Sequence, residues 1–274
     1  MASAVSFGVA DFLGGRAAAR LNPPLAVVLV QSVACAFVLL IVVVGSYPLP
    51  SGPGLTFSIV AGLADGIALI LLYRGLAVGR ISIVAPLTGV FSIAVPAVVE
   101  AVFVREIGSQ IVAGIVLAAV AVVLIAHASS GGEGDKPLKP SVMLGLSGGL
   151  TFGVTNLFLG LLEPEQANGG VLVMRSGAVA MAALVAFFGP ISAPRDRRGL
   201  VIGGAAGVLD ALGMIGLVYS ATVGLIGVAA SINALYAGVT VVLGVLLLGE
   251  RLGRVQLAGL ALGGVAIMLL ANGH

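Results

Sequence analysis

The chain has 274 residues, of which 59% are hydrophobic and 9% charged, and its mean hydropathy is +1.22. Soluble domains carry about a quarter charged residues, so a soluble globule is excluded. The net charge of +2 comes from scattered arginines that read as setters of membrane topology, not as a nucleic-acid surface.

Apolar runs near twenty residues have the length of membrane spans, and in chain order they predict ten helices. The first covers Ala2–Ala19; it contains Asp11 and lacks a basic start, so no cleavable leader is expected. Pro24–Gly45 follows, with Cys35, the single cysteine, inside it, which rules out an internal disulfide. The uncharged turn Tyr47–Gly54 leads to helices at Leu55–Leu76, Ser82–Val104 and Gly108–His127. Residues 1–128 thus form a first five-helix unit, and the polar stretch 129–140 reads as a linker. Residues 141–274 supply Ser141–Leu162, Gly169–Gly189, Gly199–Ser220, Gly224–Leu248 and Val255–Ala271. Continuous apolar runs fit helices, since a barrel strand would alternate polar and apolar residues.

The two units are copies. Shifted by 145 positions, Gly62–Ala126 lies without a gap on Gly207–Ala271, and Phe7-Gly8-Val9 lies on Phe152-Gly153-Val154. Coincident residues include Gly62 and Gly207, Gly79 and Gly224, and above all the rare carboxylates Asp65 and Asp210. Five helices per copy is an odd number, so the second copy enters the membrane from the opposite side. The expected fold is an all-α integral membrane protein of ten transmembrane helices in two inverted five-helix repeats. Arginines and lysines concentrate in alternate loops, with Arg105 the exception, which predicts cytoplasmic odd-numbered loops and outward-facing termini.

Charged groups inside apolar spans are costly and normally turn inward. Asp11, Asp65, Glu100, Arg175 and Asp210 are such groups. By the same offset Asp11 corresponds to Asn156, and Arg175 to Val30, beside Gln31. These residues read as a polar pathway between the halves, with one carboxylate able to accept a proton. Asn233 and Tyr236, three apart on one helix, share a face and could add neutral hydrogen-bonding groups. Tyr73 and Tyr219 lie near helix ends, where tyrosines anchor to the interface. The histidines His127 and His274 stand apart near helix or chain ends, so no histidine metal site, no Ser-His-Asp triad and no catalytic residue is predicted, and no cofactor is called for.

The run Asn233-Ala234-Leu235-Tyr236-Ala237-Gly238-Val239-Thr240, followed by Leu246-Leu247-Leu248-Gly249-Glu250-Arg251-Leu252, Gln256 and Gly259, resembles the end of an EamA-type repeat of the drug/metabolite transporter superfamily. Ala85-Pro86-Leu87-Thr88-Gly89-Val90, Val95-Pro96-Ala97 and Arg105-Glu106 carry the related pattern in the first half. The family's repeat typically has Pro where Ala237 stands, and Glu106 is one residue out of register with Glu250. The resemblance implies a secondary transporter, a permease or exporter moving amino acids, drugs or other small polar metabolites by alternating access, with protons as a candidate coupling ion. It implies that Glu250 and Arg251 position a loop joining the last two helices. The expected setting is the inner cell membrane, multi-pass, as a monomer or homodimer, with the lipid bilayer and a small-molecule substrate as partners. The alternative is a membrane-embedded enzyme acting on lipids or isoprenoids, for which clustered acids or histidines at an interface loop would be expected.

Overall fold

A computed structural model of the chain describes residues 2–103, 109–128, 138–189, 196–222, 236–250 and 252–271. These fold into α1 (Ala2–Leu21), α2 (Pro23–Val44), α3 (Gly52–Val78), α4 (Ile81–Phe103), α5 (Ser109–Ala128), α6 (Leu138–Gly160), α7 (Ala167–Phe188), α8 (Arg197–Thr222), α9 (Tyr236–Leu248) and α10 (Arg254–Ala271), with one 3-10 turn at Pro164–Gln166. No strand occurs among the described residues. Six of the helical stretches are long and apolar enough to cross a membrane: Pro23–Val44, Gly52–Val78, Ile81–Val99, Leu138–Gly160, Pro164–Phe188 and Arg197–Gly216. Val43, Val44, Phe187, Phe188 and Leu246 stand exposed on the outside of the bundle, an apolar surface suited to lipid.

Helix ends follow local chemistry. A single residue, Asn22, separates α1 from α2; its side chain caps the new helix by accepting from the Leu25 amide at 3.0 Å, while Pro23 pre-sets the first turn. The expected gap between Ala19 and Pro24 is therefore helical at both edges. The polar linker is also shorter than expected at its end: Leu138, Lys139 and Pro140 belong to the first turn of α6, where a proline's missing N–H has no helical acceptor to lose. Of the predicted helix Gly224–Leu248, the described part is α9; residues 224–235 lie outside the described residues. Gly249, at φ +68, ends α9 in the left-handed region open to glycine.

Packing runs between the two halves of the chain. Helix α1 packs on α8 and α9, as α6 packs on α3 and α4; α2 meets α7, and α5 meets α10. The match extends to single residues. Gly8 on α1 abuts the Tyr236 carbonyl of α9, and Gly153 on α6 abuts the Phe91 carbonyl of α4. Both members of this pair of contacts are related by the 145-residue offset. A methyl at Gly8 would collide with the Tyr236 carbonyl and the Val239 side chain, and one at Gly153 with the Val95 side chain, so close approach fixes where α1 and α6 cross.

The loops add polar ties between halves. Arg20 donates to Asp196 at 2.7 Å, and this hydrogen bond, ahead of the neighbouring amides, holds the half-buried Asp196 carboxyl below its ordinary range. Ser141 accepts from the Arg80 amide at 2.9 Å. The Glu250 carboxylate accepts from the Ile81 and Ser82 amides, both at 2.9 Å, capping the first turn of α4. Sequence placed Glu250 between the last two helices; its described contact is with α4 in the other half. Arg251 lies outside the described residues.

Candidate functional site

Asp65 sits at the midpoint of α3 and Asp210 at the midpoint of α8, each in a span too apolar to offer it a local partner. The bundle turns both toward Arg175 of α7, which is 2% exposed. Arg175 Nη1 lies 2.6 Å from Asp210 Oδ2 and donates to Gln31 Oε1 of α2, also at 2.6 Å. Asp65 is within electrostatic reach of Arg175 and Asp210, and Asp11 of α1 is within reach of Asp210 and Asp65. Residues from five helices, drawn from both halves, thus form one charged cluster. Among the described residues its carboxylates do not converge into a metal-holding group.

The Arg175–Asp210 contact is close but incompletely bonded. Asp210 Oδ2 and Arg175 Nε have no hydrogen-bond partner, so the guanidinium N–H vectors are not directed at that oxygen despite the short separation. The attraction is Coulombic, and Gln31 supplies the directed bond. Asp11 and Asp65 accept no hydrogen bond from any described residue.

Tyr73 corrects the expectation of an interface anchor. It is 2% exposed, and its ring and hydroxyl lie against Gly14 of α1, one turn beyond Asp11. It stands within electrostatic reach of Asp11, Asp210, Asp65 and Arg175. The signal was present in the spacing: Tyr73 follows Asp65 by eight residues, on the same broad face of α3. Of Tyr219, only its place in α8 is described.

Beside this cluster, α4 is interrupted twice. Pro86 and Pro96 each remove an amide donor, leaving the carbonyls of Ser82 and Ser92, four residues earlier, without their helical partners. Side-chain amides from other helices replace them. Gln256 Nε2 of α10 donates to the Ser82 carbonyl at 3.3 Å, and Asn156 Nδ2 of α6 donates to the Ser92 carbonyl at 3.0 Å. Asn156 is therefore engaged at the break in α4 and not in the Arg175 cluster. Tyr236 of α9 stands between the two regions, within reach of the Ser92 side chain and of Asp11, while the Ser92 hydroxyl donates to the Gly89 carbonyl at 2.8 Å. Asn233 and the Glu100 side chain lie outside the described residues.

No protein-family model and no curated protein matches the chain. Eleven solved chains do. One, described only as a crystal structure of a protein, superposes with a TM-score of 0.60 at 17% identity, covering 97% of this chain and 95% of that one. The likeness extends over the whole bundle and shows a shared fold.

Three carboxylates, one guanidinium, two phenols and a glutamine can bind, orient and exchange protons with a polar solute. The two proline breaks give α4 points of bending beside it.

Proposed function

We propose that the chain is a secondary transporter, a permease of small polar metabolites that works by alternating access in the inner cell membrane. The observation that carries this reading is the charged cluster at the centre of the bundle: Asp65 and Asp210 come from equivalent places in the repeat and share Arg175 between the halves. Ionisable groups at that depth mark solute or proton paths more often than they tie helices together. Two inverted five-helix halves would place them on either side of a pseudo-two-fold axis. The pairing of α1 with α8 and α9, and of α6 with α3 and α4, supports such an axis, as do the offset-related contacts of Gly8 and Gly153. The resemblance of the Tyr236–Leu252 region to an EamA-type ending points the same way. The breaks at Pro86 and Pro96 suit a helix that bends as access alternates.

The experiment is efflux from liposomes that contain the purified full chain and are loaded with a mixed pool of amino acids, amines, sugars and carboxylates. Mass spectrometry of both compartments should show selective loss of some solutes with no covalent change. A chemically altered solute or lipid would favour the membrane-enzyme alternative, and retention of the whole pool would contradict transport.

A further inference from the structure

Resting on the transporter reading, we propose that the bundle is latched at one end only. The Arg20–Asp196 pair holds its end shut at rest, and the halves part first at the opposite end, by Ser51 and Glu165. The repeat supplies the comparison. Gly199, in the first turn of α8, abuts Arg20 and Leu21 in the last turn of α1. Shifted back by 145 positions, Gly199 becomes Gly54, in the first turn of α3, and Gly54 abuts Gln166, the counterpart of Leu21. Each junction joins the first half to the second. Gly15 of α1 abuts Leu76 near the close of α3, while Gly54 lies near its start. The length of α3 therefore sets the two junctions at opposite ends of the bundle, roughly 35 Å apart.

The junctions match in packing and differ in chemistry. At the first, Arg20 Nη1 lies 2.7 Å from Asp196 Oδ2, and Asp196 Oδ1 accepts from the Arg198 amide at 2.9 Å. One carboxylate thus caps α8 and holds α1. At the second, Ser51 stands where Asp196 would, and its side chain caps nothing. Glu165, an exposed acid, stands where Arg20 would. A serine and a glutamate cannot make that ion pair. Other ties follow the same bias. At the Arg20 end, the Glu250 carboxylate of the second half accepts from the Ile81 and Ser82 amides of the first, and Ser141 accepts from the Arg80 amide. Toward the Ser51 end, the ties among the described residues are neutral. Ser3 donates to the Gly213 carbonyl at 2.8 Å, Thr155 donates to the Ala61 carbonyl at 3.3 Å, and Gly169 lies against the Pro48 carbonyl. The strength of the Arg20–Asp196 pair suits a latch. A partly exposed ion pair shifts an equilibrium by about two- to fivefold, enough to favour one state and weak enough to release in each cycle.

Pulsed electron resonance between pairs of nitroxide labels on the full chain in liposomes measures each end. Cysteines at Ala19 and Leu200 report the Arg20 end, and cysteines at Pro164 and Leu55, their counterparts in the repeat, report the other. All four positions are exposed, and Cys35 is replaced by alanine. The parent should give a single narrow distance across Ala19 and Leu200, and two populations across Leu55 and Pro164. Arg20→Gln should raise the parted population at its end about two- to fivefold. Asp196→Asn should do the same, although asparagine still caps α8. Combining the two should add nothing further, as expected of one pair. Ser51→Asp with Glu165→Arg supplies the missing pair and should deplete the parted population at the second end. Any of four results would overturn the latch: a parent equally broad at both ends, single variants that leave the Ala19–Leu200 distance unchanged, additive effects in the double variant, or a Leu55–Pro164 distance unmoved by the installed pair. These distances are read without solute, so they stand apart from liposome efflux. Unchanged distances with selective efflux sink the latch and leave transport standing, whereas retention of the whole pool sinks transport itself.

Discussion

Arg175 and Asp210 approach to 2.6 Å in the middle of the bundle, yet the directed hydrogen bond from Arg175 goes to Gln31. The guanidinium is therefore held by several weak claims from different helices. Replacing Asp210 by Asn leaves Gln31 and Asp65 near Arg175. Removing Arg175 instead leaves the acids without a buried cation among the described residues. We expect Arg175→Met to cost about 3–5 kcal/mol, the usual cost of orphaning a buried charge, and Asp210→Asn to cost clearly less. Thermal melting in detergent compares them; equal losses would show that the pair acts alone.

Asn156 is predicted to matter because of Pro96. Asn156→Ala leaves the Ser92 carbonyl without its donor and should cost about 1–3 kcal/mol. Adding Pro96→Ala restores the backbone donor and should recover most of that loss. Additive losses in the double variant would mean that Asn156 acts elsewhere, and melting temperatures of the four proteins decide it.

Glu250 ties the α9–α10 turn to the first turn of α4. Glu250→Ala removes both acceptors and should lower stability by about 1–2 kcal/mol, the scale of a strong N-cap. Glu250→Gln keeps an acceptor but not the charge and should lose roughly half as much. An alanine variant as stable as the parent would make this contact incidental.

The inverted arrangement is tested by labelling. With Cys35 replaced by alanine, cysteines introduced at Ser51 and at Arg198 should react with an impermeant thiol reagent from opposite sides of the membrane. Reaction of both from one side would contradict two odd-numbered halves.

Much of this was legible because rarity is informative in an apolar chain. Asp65, Asp210 and Arg175 stand out in runs of Leu, Val, Ala and Gly, and the 145-residue offset gives the two aspartates one place in the repeat. Gln31 was found only as a neighbour of the position matching Arg175, and the structure joins it to that arginine. What stayed hidden depends on contacts distant in the chain. The spacing from Asp65 hinted that Tyr73 faces inward, but Gly14, 59 residues earlier, which makes the room for its ring, could not be read locally. Asn156 looked like the polar counterpart of Asp11, but its donor is taken by a carbonyl that a proline in another helix set free. Glu250 serves amides 168 and 169 residues away, a partnership no local motif encodes.

The central claim is that solute passes through the charged cluster, and Asp65→Asn tests it most directly. Asp65 has no hydrogen bond from a described residue, and the Arg175–Asp210 contact does not include it, so the substitution spares the ties that hold the helices. The measurement is liposome efflux of the transported solute, divided by the amount of folded protein recovered by size-exclusion chromatography. The account predicts folded yield near the parent's and efflux lowered at least about tenfold, matching loss of one charged contact. Asp65→Asn protein that folds and transports like the parent would contradict it.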